Sequence, residues 1–241
     1  MAQPPMLDQV RDFLRLTTHH RGEPAGAYDD AAAGYDIFAD VFDRTVGAPA
    51  LARFERLLAD AIPTDGSVLD VAAGTGRRTE RVLSLGRPAR VVAADASIRM
   101  LDRARDRLDD ARVEFVHANA LALPFEDGTF DVVTNTWLLS ILSDPTAAVQ
   151  EFLRVLKPGG RAIYAFLSQP PGTLGDAVSW VAQHVSPGLN PLTHTLSSSE
   201  QPLHDCDLSS LDRYMAGFTT VVSLGSCCSV GPSTVPCTLE R

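Results

Sequence analysis

Between residues 67 and 167 the chain alternates short, mostly apolar runs with stretches whose apolar residues recur every three or four positions. SVLDVA (67–72), RVVAAD (90–95), VEFVH (113–117), FDVVTN (130–135) and RAIYAFL (161–167) are the apolar runs, each of a length that suits a strand. The stretches between them have helical spacing. RRTERVLSL is closed by Gly86, and in IRMLDRARDRLDD the residues Leu101, Ala104 and Leu108 share one face. In DPTAAVQEFLRVLKPGG, Asp144 is the expected N-cap, Pro145 sits in the first turn and Gly159 is the expected stop. Val149, Phe152, Leu153 and Leu156 keep the helical spacing there. Apolar strands separated by helices predict a parallel sheet covered on both faces.

The two ends read differently. After a helix expected to begin near Leu208, GFTTVVSLGSC and STVPCTLER are separated only by a short Gly-Pro turn region, so they predict an antiparallel hairpin. The fold class is therefore α/β, a doubly wound, mostly parallel seven-stranded sheet with an antiparallel C-terminal hairpin. Residues 168–205 form a Pro-, Ser- and His-rich insertion with one helical stretch, DAVSWVAQHV. Residues 1–60 read as a helical N-terminal lid. In YDDAAAGYDIFADVF, the residues Tyr28, Ala31, Ala32, Tyr35, Phe38, Ala39 and Phe42 fall on one face, a stripe that core packing largely explains.

Composition narrows the picture. With 241 residues and 45% hydrophobic content, the chain suits one generous domain that needs no disulfide or metal to hold its core. A formal net charge of −9 argues against a nucleic-acid partner. No run approaches the roughly 18 apolar residues of a membrane span. The opening MAQPPMLDQVRDFLRL carries Asp8 and Asp12 and lacks a signal-peptide pattern, so a cytoplasmic protein is expected. Cys206, Cys227, Cys228 and Cys237 form no C-x-x-C pair and read as free thiols, with no metal site.

DVAAGTGRRT (70–79) is where chemistry enters. A strand that ends in a glycine turn and starts a helix aims several amides and the helix's positive end at one spot. In an open α/β sheet, ligands bind at such carboxyl ends. Asp95, closing the next strand, is placed to accept from both hydroxyls of a ribose. A dinucleotide is a poor match. No frame of the turn sets small residues where G-x-G-x-x-G needs them, because Ala72 and Thr79 stand at the outer positions. Asp70 would also repel a pyrophosphate. The turn favours a ligand with a ribose and a positive charge.

The runs VLDVAAGTGRRT, VVAADASIRML, VEFVHANALALPFEDGTFDVVTNTWLLSILSDP and FLRVLKPGGR closely resemble the class I S-adenosylmethionine-dependent methyltransferases. Within them they resemble the branch related to ubiquinone and menaquinone biosynthesis methyltransferases (methyltransferase type 11). The resemblance covers roughly residues 65–167. It implies a Rossmann-like methyltransferase domain over 61–241, with the insertion at about 168–205 covering the acceptor. It implies S-adenosylmethionine as cofactor and S-adenosylhomocysteine as product. Asp70 and the backbone from Ala72 through Gly74 to Gly76 would hold the methionine portion. Asp95 would take the ribose hydroxyls, while Ala96 and Ile98 would flank the adenine. Asn119 stands where the family usually has Asp, facing the adenine amine, and the Ala120 backbone would meet the ring. Asn135, Thr136 and Trp137 would close the fourth strand beside the methyl donor. Tyr35 matches a lid tyrosine that touches the cofactor in related enzymes. Ser140 stands where many relatives have His.

Methyl transfer from a sulfonium is an in-line displacement, so the enzyme aligns the partners, excludes water and removes a proton where the nucleophile needs it. Histidine is the usual base. His184 and His194, in the insertion, are the candidate bases, with His19 and His20 next; His117 and His204 complete the set. The expected reaction is methylation of a small, partly hydrophobic molecule on an O-, N- or C-nucleophile, in biosynthetic tailoring, by a monomer or homodimer. An arsenite-type acceptor bound by the C-terminal cysteines is the less favoured chemistry. A protein of this fold that binds the cofactor without transferring methyl is the alternative from another class.

Overall fold

The computed structural model describes residues 28–29, 32, 35–45, 47–142, 144–167, 212–216 and 219–225. Its elements run α1 (Tyr35–Arg44), α2 (Ala48–Ala61), β1 (Ser67–Val71), α3 (Arg77–Leu85), β2 (Arg90–Asp95), α4 (Ile98–Arg107) and β3 (Val113–His117). There follow β4 (Phe130–Thr136), a 3-10 turn (Leu138–Ser140), α5 (Pro145–Arg154), β5 (Leu156–Leu167), β6 (Asp212–Ala216) and β7 (Thr219–Gly225). The strands form one sheet in the order β3-β2-β1-β4-β5-β7-β6. The first five pair in parallel, and β7 pairs antiparallel with both β5 and β6. Strand order reverses between β1 and β4, the place where an open α/β sheet leaves a crevice.

Successive residues of the central strands face opposite layers. Val68, Val91, Val132 and Ile163 pack with Ala50, Phe54, Leu57 and Leu58 of α2, whereas Leu69, Val92, Val133 and Tyr164 pack with Val149 and Phe152 of α5. This alternation is why the strands read as continuous apolar runs: both faces are dry. Helix α2 has its buried residues, Ala50, Leu51, Phe54, Leu57 and Leu58, at helical spacing. Within the expected lid over residues 1–60, α2 packs directly against the sheet.

Local rules place the helix starts. Ser97 accepts from the Met100 amide at the head of α4, and Asp144 accepts from the Ala147 amide at the head of α5, with Pro145 in the first turn. Two boundaries differ from the pattern. Helix α5 ends at Arg154 with Val155 as its cap, and Gly159 lies inside β5. There the chain turns early so that Leu156 can pair with Phe130. Residues 212–216 form a strand where a helix was expected from Leu208, because β7 leaves a partner edge that they fill. The expected partner strand STVPCTLER lies outside the described residues, as do the insertion, the four cysteines and the helix over 176–185.

Because Phe54 is 1% exposed under the sheet, Phe54→Ala is expected to cost about 3–5 kcal/mol. Urea unfolding checks it, and a loss below about 1 kcal/mol would mean α2 is not part of the core.

Candidate functional site

The site is built at the carboxyl ends of β1, β2 and β4. After β1 the backbone takes the left-handed conformation three times within five residues: Ala72 has φ 55°, Gly74 58° and Gly76 81°. These reversals fold the chain back so that the Ala73 amide donates to the Ala94 carbonyl (3.1 Å) and the Gly76 amide to the Ala73 carbonyl (3.0 Å). Gly76 must be glycine on a second ground. A Cβ there would lie 3.0 Å from Leu108 and 3.1 Å from Ala104, so α4 packs directly on the turn. A Cβ on Gly74 would meet only Tyr35, at 3.9 Å. Of the two glycines, Gly74 faces the opening under Tyr35 and Gly76 faces a helix.

Asp95 ties this turn to the next strand end. One carboxylate oxygen accepts from the Gly74 amide and the other from the Ser97 amide, both at 2.8 Å. Burial pushes its carboxyl above the usual range, while those two amides pull it back and Asp29 adds to the rise. Ala96 and Ile98 are exposed beside it, Ile98 by 53%. His117, at the end of β3, has Nε2 3.0 Å from the Ala96 carbonyl oxygen. Asn119 is exposed and its Oδ1 accepts from the Leu121 amide, closing a tight local turn ahead of buried Ala120. That oxygen keeps one lone pair for a further donor.

Asp70 is 2% exposed and accepts from Thr79 Oγ1 at 2.7 Å. Burial raises its carboxyl from 3.8 to about 7; the Thr79 hydroxyl and the Arg78 guanidinium oppose the rise, and Asp95 adds to it. Thr79, which in sequence only spoiled a dinucleotide motif, is thus the donor that makes a buried acid tolerable. On β4, Asn135 is buried and donates from Nδ2 to the Val71 carbonyl at 2.7 Å, while its Oδ1 has no partner among the described residues. Thr136 is half-buried beside it. Trp137 then takes φ 70°, donates its amide to the Ala165 carbonyl and sets its ring edge-on to Phe42 at 5.0 Å. Ser140 is buried in the 3-10 turn.

The segment ahead of α2 covers this region. Tyr28 and Tyr35 meet edge-to-face at 6.0 Å, and both sense the Asp95 charge. Burial pushes the Tyr35 phenol up to about 12 and the Tyr28 phenol up as well. Acidic side chains anchor the segment. Asp29 accepts from the Ser97 hydroxyl and the Arg99 amide, Asp40 from Arg77, and Asp43 from Arg77 and Arg78. Sequence patterning exposed the aromatic stripe; Asp29, Asp36, Asp40 and Asp43 also recur at helical spacing, but that spacing does not name the residues they bond. Of the predicted residues, Tyr35, Asp70, Ala72, Gly74, Gly76, Asp95, Ala96, Ala120, Asn119, Asn135 and Thr136 all lie on these strand ends, their turns or the covering helix. His184, His194, His19 and His20 lie outside the described residues. Among the described residues no group of three or more His, Cys, Asp or Glu could hold a metal ion, and no helix is long and apolar enough to cross a membrane.

Residues 69–164 match the family described as "Methyltransferase domain". The chain is 36% identical over 209 residues to the demethylmenaquinone methyltransferase of Clavibacter sepedonicus, spanning 83% of this chain and 84% of that protein. It is 36% identical over 158 residues to the ubiquinone/menaquinone biosynthesis C-methyltransferase UbiE of Hahella chejuensis, spanning 64% of this chain and 63% of that protein. Among solved structures, a Haemonchus contortus phosphoethanolamine N-methyltransferase in complex with S-adenosyl-L-methionine superposes with a TM-score of 0.55. The match is at 24% identity and covers 68% of this chain and 38% of that one, a likeness of fold.

A carboxyl whose pKa is higher in the folded than in the unfolded chain gives stability that is full below the unfolded value and lost as pH rises through the folded one. For Asp70 that window runs from 3.8 to about 7. Urea stability of the wild type is expected to fall across it more steeply than that of Asp70→Asn. Parallel curves would show that Asp70 does not carry the shift.

Proposed function

This chain belongs to the S-adenosylmethionine-dependent methyltransferases, and on that premise we propose that it methylates a carbon of a quinone-type ring. The observation that carries the reading is the identity to a demethylmenaquinone methyltransferase across 84% of that protein's length. A relative named as a C-methyltransferase supports carbon as the nucleophile. The net charge of −9 supports a small-molecule acceptor over a nucleic acid.

The donor set suits the cofactor. Asp95, already oriented by two amides, has lone pairs left for the ribose hydroxyls. Asp70 lies one strand over as a buried acid, and a cation beside it would favour its ionised form. Asn135 Oδ1, on β4 beside the end of β1, has no partner among the described residues and is an available acceptor. We assign the methionine portion to Asp70, Asn135, Thr136 and the backbone from Ala72 to Gly76. Adenine goes to Ala96, Ile98, Asn119 and Ala120, and Tyr35 covers the site. S-adenosylmethionine supplies a methyl group on a sulfonium, which leaves as the thioether of S-adenosylhomocysteine. The chain's own work is to hold that group in line with the acceptor carbon, keep water out and take the proton the ring gives up. Ser140 has no basic nitrogen for that last task, so His184 and His194 are retained as the bases.

Turnover with methyl-labelled cofactor tests the reading on a panel of hydroquinones with an open ring position, phenols and amines. Label is expected on a ring carbon. Label on oxygen or nitrogen alone would replace the acceptor class, and cofactor binding without transfer would favour a non-transferring role. Asp95→Ala is expected to weaken S-adenosylhomocysteine binding by about tenfold or more, the loss of a charge-assisted pair of hydrogen bonds. Unchanged affinity in titration calorimetry would refute the ribose assignment.

A further inference from the structure

We propose that Arg107 is a positioning residue for the methyl-transfer reaction, setting cofactor affinity and exchange by holding the glycine turn and the covering helix α1 as one unit. The proposal rests on the reading of Gly74, Asp95 and Tyr35 as the cofactor site. Arg107 is the last residue of α4, and its planar guanidinium serves three elements at once. Nε donates to the Thr75 carbonyl inside the glycine turn at 2.8 Å, Nη2 donates to Asp36 of α1, and Nη1 lies 3.8 Å from Glu80 of α3. The other oxygen of Asp36 accepts from Thr75 Oγ1, which closes a ring of Arg107, Thr75 and Asp36. Asp36 follows Tyr35, whose ring stands at Gly74. A shift at Arg107 is therefore passed both to the turn's backbone and to the aromatic cover.

The neighbouring cations do less. Arg77 and Arg78 grip Asp40 and Asp43 of α1, and Arg105 pairs with Asp102 on its own helix. Of these four cations, Arg107 is the one whose side chain bonds a carbonyl of the turn itself. A helix-terminal Arg also favours its own helix through the dipole, and that effect alone would give a purely structural role. The fork geometry separates the two. Lysine would keep the charge at the helix end but cannot donate in three fixed directions. Arg107 and Asp36 are each 28% exposed, so the pair is open to screening by salt.

The test uses the full chain with Arg107→Met, Arg107→Lys and Asp36→Asn, with Asp95→Ala alongside. S-adenosylhomocysteine affinity is read by calorimetry, its release by stopped flow, and KM for S-adenosylmethionine is separated from kcat. Arg107→Met is expected to weaken affinity about tenfold, the scale of one lost charge-assisted contact. KM should rise in parallel while kcat changes far less. Arg107→Lys should not restore affinity, and adding Asp36→Asn to Arg107→Met should cause no further loss. Release from the wild type should quicken with salt, and release from Arg107→Met should not. A lowered melting temperature with unchanged affinity, or full rescue by lysine, would overturn the proposal. Should Arg107→Met fail to fold, Asp36→Asn decides alone, with several-fold weaker binding expected and unchanged binding overturning it. If Asp95→Ala also leaves affinity unchanged, the cofactor reading itself falls; if only the Arg107 variants do, the positioning role alone falls.

Discussion

The two oxygens of the Asp95 carboxylate, each accepting from a backbone amide, join the turn after β1 to the turn after β2. Gly74 can present its amide there only because the chain has passed through left-handed geometry at Ala72 and does so again at Gly74. The Ala73 amide, bonded to the Ala94 carbonyl, repeats the link one residue away. With both strand ends locked, α4 starts from Ser97 and lies close enough that Gly76 has no room for a side chain. The position of α4 in turn puts Arg107 beside Thr75. One carboxylate thus sets the geometry of the site and of the helices that frame it.

That arrangement is costly, and the costs gather at one end of the sheet. Left-handed backbone at a residue with a Cβ costs roughly 1–2 kcal/mol. It occurs here at Ala72 and at Trp137, where β1 and β4 end, and elsewhere in the described residues at Asp65. Asp70 is an acid in a dry place, stabilised by one hydroxyl. Thr134, its register partner on β4, and Asn135 next to it each keep a buried oxygen without a partner among the described residues. Backbone strain, a raised carboxyl pKa and buried polar atoms without a partner among the described residues thus gather at neighbouring strand ends, the pattern on which the proposed cofactor site rests.

The covering segment joins by a different kind of force. Its aromatic face contributes Tyr28, Tyr35 and Phe42. Its opposite register contributes Asp29, Asp36, Asp40 and Asp43, each bonded to a residue of α3 or α4, of the turn, or of a helix start. Helix α2, by contrast, is held mainly by apolar burial, in a cluster with residues of five strands, with an ion pair from Glu55 to Arg81 of α3. Gly47 lies between α1 and α2, the one held by ion pairs and hydrogen bonds and the other mainly by burial under the sheet.

Much of the sheet was legible because parallel strands buried on both faces must be apolar throughout, so SVLDV, RVVAAD and FDVVTN announce themselves. The glycine turn and Asp95 were legible because close approach of backbone to a ligand restricts residue type. Of the C-terminal antiparallel pair only β7 was legible as a strand; DRYMA was read as helix, since edge pairing depends on what the neighbouring strand leaves open, and the expected partner STVPCTLER lies outside the described residues. The roles of Thr79 and Arg107 and the partners of the acidic residues of α1 were invisible because a long-range hydrogen bond joins residues with no periodic relation along the chain. The sequence by itself determined the strand-turn-helix order and the chemistry at each strand end. Only the tertiary structure decided which side chains meet across those ends, because that depends on strand order and helix packing, which bring residues dozens of positions apart within hydrogen-bonding distance.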